Sequence, residues 1–290
     1  MPDDIKPNGI GASVRRKEDK RFLTGNGRYT ADITRVNQLY VHFVRSVHAH
    51  AEIVSVDTSK AQQADGVVAI YTGEDVAADE IGGPISGWVI TQRDGSANPE
   101  PPHPILANGK VRYVGDHIAA VIAETEQQAI DASELVDVEY KVLPAVVDLA
   151  TSANGVPVHD EVPSNTYFDF ELGDEAATED ALANAATIVE LEVRNNRLIP
   201  NAMEPRAALA EYDPIDGSYT LHTTSQNPHL TRLVIGAFML NIPESKLRVV
   251  APDVGGGFGS KIYVYPEEAV CTWGSKKLCR PIKCTSDRSE

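Results

Sequence analysis

Ile118-Ala119-Ala120-Val121-Ile122-Ala123, followed by Glu124-Thr125-Glu126-Gln127-Gln128 and the run to Val142, is where the kind of fold is read. Six small or β-branched apolar residues in a row mark a strand covered on both faces. Thr125, with Gln128 three residues later, opens a helix as a capping box, and Ala129, Ala132 and Val136 line one side of it. Val136, Val138, Tyr140 and Val142 then alternate, so the helix passes directly into a half-buried strand.

Working outward towards the N-terminus, Leu39, Val41 and Phe43 alternate as a strand, and residues 53–56 and 67–71 are two more. Between them and the starting stretch lies a long irregular region, 77–104, whose Pro99, Pro101, Pro102 and Pro104 cannot join a regular ladder. The first forty residues are polar and read as an extended arm. Strands preceding a strand–helix–strand unit predict an α+β domain over 1–150, with its arm. Residues 151–165, rich in turn formers, read as a linker.

A second region, 166–290, follows. Residues 179–186 are helix-prone, 188–193 (Ile-Val-Glu-Leu-Glu-Val) alternate as a strand, and 219–223 form another. Asn227 as N-cap and Pro228 at the first helical position start a helix. Its Leu230, Leu233, Val234, Ala237 and Phe238 fall on one stripe, predicted to be buried. A short β-branched run then enters Asp253-Val254-Gly255-Gly256-Gly257-Phe258-Gly259-Ser260-Lys261. Glycine accepts positive φ and has no side chain to hold a ligand off, so this loop can present backbone N–H groups to a bound group; a tight turn between strands is the plainer reading. Gln226, at a strand end, can offer a ligand both donor and acceptor, or can simply cap the helix. Phe258 is either a contact residue or core. Met203-Glu204-Pro205-Arg206 holds a carboxylate and a guanidinium two apart and reads as a structural ion pair or carbonyl clamp.

Composition excludes several functions. With 42 acidic against 26 basic residues the formal charge is -16, which repels phosphate backbones and anionic membranes. No window approaches the roughly 18 apolar residues of a membrane span, and Met1 to Ile5 carry no targeting pattern; a cytoplasmic chain is expected. Cys271, Cys279 and Cys284 match no zinc or iron–sulfur spacing and are expected to be free or buried thiols. His48 and His50 share a strand face but lack a third ligand. Neither a P-loop nor a Gly-x-Gly-x-x-Gly fingerprint is present.

Taken together, Ser225-Gln226-Asn227-Pro228-His229, the glycine loop, Tyr265-Pro266-Glu267-Glu268, Arg21-Phe22-Leu23-Thr24-Gly25, Tyr113-Val114-Gly115-Asp116 and Met203-Glu204-Pro205-Arg206 resemble, in order, the molybdenum hydroxylases of the xanthine oxidase family. The likeness is to the large, molybdopterin-binding subunit of the carbon monoxide dehydrogenase and aldehyde dehydrogenase type, and to its N-terminal portion. It implies an α/β hammerhead domain over 1–150 and the first part of a mixed α+β molybdopterin-binding domain over 166–290. It implies that Gln226 hydrogen-bonds a ligand of the molybdenum, and that Gly256, Gly257, Phe258 and Gly259 pack against the metal centre and its pterin, in the form of molybdopterin cytosine dinucleotide. It implies 2Fe–2S clusters and FAD on a small and a medium partner subunit. The family's catalytic glutamate is expected beyond Glu290, so no catalytic residue is assigned to this chain, which alone should be inactive. Ile262 stands where purine-oxidising relatives carry a glutamate, against purine as substrate; aldehydes, carbon monoxide and N-heterocycles stay open. The alternative is a non-catalytic truncated or split-gene chain serving as structural partner of another subunit.

Overall fold

The computed structural model describes residues 9–14, 16–86 and 89–289. In chain order they form α1 (Asp19–Leu23), β1 (Leu39–Arg45), β2 (Ala51–Asp57), β3 (Val67–Thr72), α2 (Gly73–Ala78), β4 (Lys110–Val111), β5 (His117–Ala123), α3 (Glu126–Ser133) and β6 (Asp137–Val142). Then come α4 (Glu175–Ala183), β7 (Ala207–Asp213), β8 (Ser218–Thr223), α5 (Pro228–Leu233), β9 (Leu247–Val250), α6 (Pro266–Leu278) and β10 (Ile282–Thr285). The fold is α+β.

Every residue of β5 is buried, as its unbroken apolar run requires, and it is flanked by β1 and β3. The larger sheet has the order β3-β5-β1-β10-β7-β8-β9, and a smaller one the order β4-β2-β6. Strands from before and after residues 151–165 therefore share one sheet. Their junction is β10, parallel to β1 through Leu39↔Ile282 and antiparallel to β7 through Ile282↔Ala210. α3 packs on β1 and β5, with Thr125 Oγ1 accepting the Gln128 N–H as its cap. α6 packs on β7 and β10, and Gly274 lets its backbone approach Ile282, whose Cδ1 would lie 2.8 Å from a Cβ there. One core joins these elements, around Leu39, Ile122, Leu221, Ile235, Leu247 and Ile282.

Three expectations are corrected. Residues 188–193 form no strand: they are irregular and exposed, and make no backbone hydrogen bond among the described residues. The helix expected at 179–186 is α4, which starts four residues earlier because Asp174 caps it by accepting the Ala177 N–H. The stripe on the helix after Pro228 is displaced, because α5 widens into a π-turn over Val234–Met239 in which the Leu240 N–H donates to the Ile235 carbonyl. The extra residue in that turn rotates the face, so Val234, Ile235 and Met239 are buried while Leu233 and Phe238 are partly exposed.

Candidate functional site

β8 and β9 are parallel neighbours, so the segments that follow them leave the sheet at the same end. Gln226 and the glycine loop therefore lie side by side. The Gln226 N–H donates to the Lys261 carbonyl at 2.7 Å, and its side-chain Oε1 accepts the Gly259 N–H at 3.0 Å and the Lys261 N–H at 3.3 Å. With the oxygen so occupied, the exposed residue's free end is its Nε2 donor. A Cβ on Gly257 would sit 2.3 Å from Gln226 Oε1, so only glycine allows the loop to close on this amide.

A second clamp lies beneath. Lys261 is 3% exposed, and its ammonium donates to the Glu204 carbonyl at 2.8 Å and to Glu204 Oε2 at 3.0 Å. The same Oε2 accepts the Gly255 N–H at 2.6 Å. One carboxylate thus ties the first glycine of the loop to its last residue, and its Oε1 is buried without a partner. Between the ties, the N–H groups of Gly256, Gly257 and Phe258 have no hydrogen-bond acceptor among the described residues. Phe258 adopts φ 51, a conformation that costs a side-chain-bearing residue about 1–2 kcal/mol, and its ring is 74% exposed. A strained backbone thus holds an aromatic ring outward beside three donors that lack an acceptor among the described residues, those of partly buried Gly256, buried Gly257 and exposed Phe258. The N-terminal arm braces the loop from outside: Arg21 pairs both guanidinium nitrogens with Asp253, which also accepts the Arg28 N–H at 2.7 Å. The Arg21 hydrogen bond holds the Asp253 carboxyl below the usual carboxylate range.

Behind the loop, the first turn of α6 buries two adjacent carboxyls. Glu267 Oε1 lies 3.0 Å from Arg206, 3.1 Å from Arg45 and 3.3 Å from His117 Nε2. Burial acts to raise its pKa, but the His117 contact and the two guanidiniums overrule it and keep the group ionised. Glu268 goes the other way. Burial pushes it up to about 7 against the lowering effect of the Thr223 hydroxyl and the Tyr265 N–H, and the charge of Glu267 adds to the rise. Arg206 also covers the Tyr265 ring at 4.1 Å, and Tyr265 Oη donates to the Ser260 carbonyl at 2.5 Å. The carboxyl layer is thereby wired to the loop.

The structure thus brings Gln226, Gly257, Phe258 and Gly259 together, with Gly256 at φ 99 shaping the tip. It parts Glu204 from Arg206: two residues apart, with Glu204 in a bend, one pairs with Lys261 and the other with Glu267. The burial of Lys261, Glu267 and Glu268 went unread, since helix-terminal acids and a loop-end lysine are usually solvated; Pro266 fixing the helix start against the loop was the one available signal. His50 Nδ1 lies 2.9 Å from the Pro144 carbonyl and His48 packs edge-on against Tyr140, which gives both histidines structural partners. Cys271 and Cys284 are buried and Cys279 exposed, and none of the three forms a disulfide. Among the described residues no cluster of three or more potential ligands could hold a metal ion, and no helix is long and apolar enough to cross a membrane.

Two family descriptions match this chain. Residues 24–144 match the aldehyde oxidase and xanthine dehydrogenase a/b hammerhead domain, and residues 158–290 match the molybdopterin cofactor-binding domain. The chain belongs to the xanthine oxidase family of molybdenum hydroxylases. Within the family, it is 36% identical over 289 residues to the nicotine 6-hydroxylase large subunit of Paenarthrobacter nicotinovorans, covering 99% of this chain and 34% of that one. It is 34% identical to the carbon monoxide dehydrogenase large chain of Afipia carboxidovorans, covering 98% of this chain and 36% of that one. The solved structure of quinoline 2-oxidoreductase from Pseudomonas putida 86 superposes with a TM-score of 0.84 at 36% identity, over 98% of this chain and 35% of that one. The chain therefore spans about a third of the length of these family members.

Proposed function

We propose that this chain forms part of the molybdopterin-binding subunit of a molybdenum-dependent hydroxylase or dehydrogenase, which oxidises an aldehyde, carbon monoxide or an N-heterocycle with water as the oxygen source. The observation that carries the reading is the set of donors around the glycine loop: three open N–H groups in succession and the Nε2 of Gln226, all at one end of the sheet. That set suits a group rich in oxygen acceptors. When bound, the molybdenum cofactor supplies the activated oxygen and takes up the substrate's electrons. The protein's share is to orient it. Gln226 donates from Nε2 while its Oε1 stays fixed on the loop; Gly256, Gly257 and Phe258 donate from the backbone; the Phe258 ring shields one side from water; and the Glu204–Lys261 pair keeps the loop from yielding.

The finer reading is molybdopterin cytosine dinucleotide as the cofactor, with 2Fe–2S clusters and FAD on a small and a medium partner subunit, in the cytoplasm. The division into a hammerhead unit at 1–150, a linker at 151–165 and molybdopterin-binding residues at 166–290 belongs to the same proposal. The proton acceptor is a glutamate outside residues 1–290, and Ile262 in place of an acidic residue argues against purines.

The test is metal content. The tagged chain is purified from its host under mild conditions and molybdenum is measured per chain, for wild type and for Gln226→Ala. Stoichiometric molybdenum in the wild type, and a several-fold loss in the variant at unchanged melting temperature, is the expected result. A wild-type preparation free of molybdenum overturns the reading and leaves a chain that serves as scaffold.

A further inference from the structure

We infer that residues 188–193 are an interaction strand, which adds to a β-sheet in the remainder of the molybdopterin-binding subunit; this inference rests on the function proposed above. Val189, Leu191 and Val193 alternate with Glu190 and Glu192, the sequence pattern of a strand with one buried face. Yet Val189 is 84%, Leu191 83% and Val193 73% exposed, and residues 186–200 make no backbone hydrogen bond among the described residues. Unpaired peptide groups beside a bare apolar stripe are the two halves of a binding site for another strand. Main-chain bonds supply the attraction and alternate side chains the selectivity.

Three observations identify the occupant. The relatives quoted above are about three times as long as this chain, so each carries ample further sequence that could pair here. The segment is tethered at its far end, where Arg288 holds Asn201, Ala202 and Met203, and Glu204 then joins the glycine loop. Exposed apolar side chains continue along that path through Leu198, Ile199 and Met203 to Phe258, so a strand laid on 188–193 extends naturally towards the loop. A second copy of this chain fits poorly. Antiparallel self-pairing centred on Leu191 sets Glu190 against Glu192, and registers that avoid this place apolar residues opposite polar ones. The fitting partner is a strand with apolar residues towards Val189, Leu191 and Val193 and with lysine or arginine opposite the two glutamates.

Hydrogen exchange tests this on the complete subunit, whether its remainder is carried on the same polypeptide or on a second one co-expressed from the same host, with the isolated chain as reference. Amides 188–193 should exchange at the first time point in the isolated chain and only over hours in the complete subunit. Leu191→Pro should abolish that protection, whereas Ile215→Lys, at an exposed turn, should leave it intact. Free exchange at 188–193 in a complete subunit whose β5 amides are protected overturns the proposal. So does protection that appears in the isolated chain together with dimerisation in sedimentation velocity, which assigns the strand to a second copy. Molybdenum content reads the functional proposal separately: protection without molybdenum leaves the strand standing and removes the hydroxylase, and molybdenum without protection does the reverse.

Discussion

β5 and residues 188–193 both carry a strand-forming pattern and end in opposite states. β5 is an unbroken apolar run, and 188–193 alternates apolar residues with glutamates. β5 lies between β1 and β3 with every residue buried; the other segment is irregular, exposed and without a backbone hydrogen bond among the described residues. The difference teaches that a sequence pattern confers the capacity to be a strand while a neighbour confers the strand itself. A helix satisfies its backbone within its own turns, whereas a strand must find every bond elsewhere in the chain or beyond it.

The sharpest way to test that comparison is to cut side chains on either side of it. Leu221→Ala, in β8 and fully buried within the core, should cost about 2–5 kcal/mol in urea unfolding of the isolated chain. If it costs under 1 kcal/mol, the single core joining both halves of the sheet is wrong. Glu268→Gln probes the buried carboxyl layer. A carboxyl whose folded pKa is about 7 is easier to protonate folded than unfolded, so its contribution is whole below the unfolded value near 4.3 and is lost as pH rises through about 7. Glutamine copies the protonated form. The variant should therefore match wild type at acid pH and exceed it at pH 8 by about 4 kcal/mol at most, seen as a flatter plot of the urea midpoint against pH.

Gly257→Ala sits where the closed and open regions meet. Its methyl group must displace the Gln226 amide, with an expected loss of about 1–3 kcal/mol and faster exchange of the Gly259 and Lys261 amides. Unchanged exchange there means that Gln226 does not hold the loop. Leu191→Ala should be the smallest effect, within about 0.5 kcal/mol in the isolated chain, since its side chain touches little. A larger loss shows that residues 188–193 already pack against something.

What could be read from sequence follows the same division. The strand–helix–strand unit was legible because the Thr125 cap and the β5 run are local signals. The pairing of Gln226 with the glycine loop was legible as a resemblance, but the committed Oε1 and open Nε2 were not, because they depend on β8 and β9 being parallel neighbours. The π-turn was hidden: an extra residue in a turn leaves the apolar pattern periodic while rotating the face it describes. The exchange of partners that sends Glu204 to Lys261 and Arg206 to Glu267 was hidden as well, since residues over 50 positions apart set it.

β10 has a further consequence, for the order in which the molecule is made. It lies between β1 and β7, so until residues 282–285 leave the ribosome the large sheet exists as two separate pieces, β3-β5-β1 and β7-β8-β9, each with a raw edge. Such edges recruit other strands. A pause in synthesis before residues 282–285 have emerged should therefore leave a nascent chain that depends on chaperones, and their emergence should relieve that need.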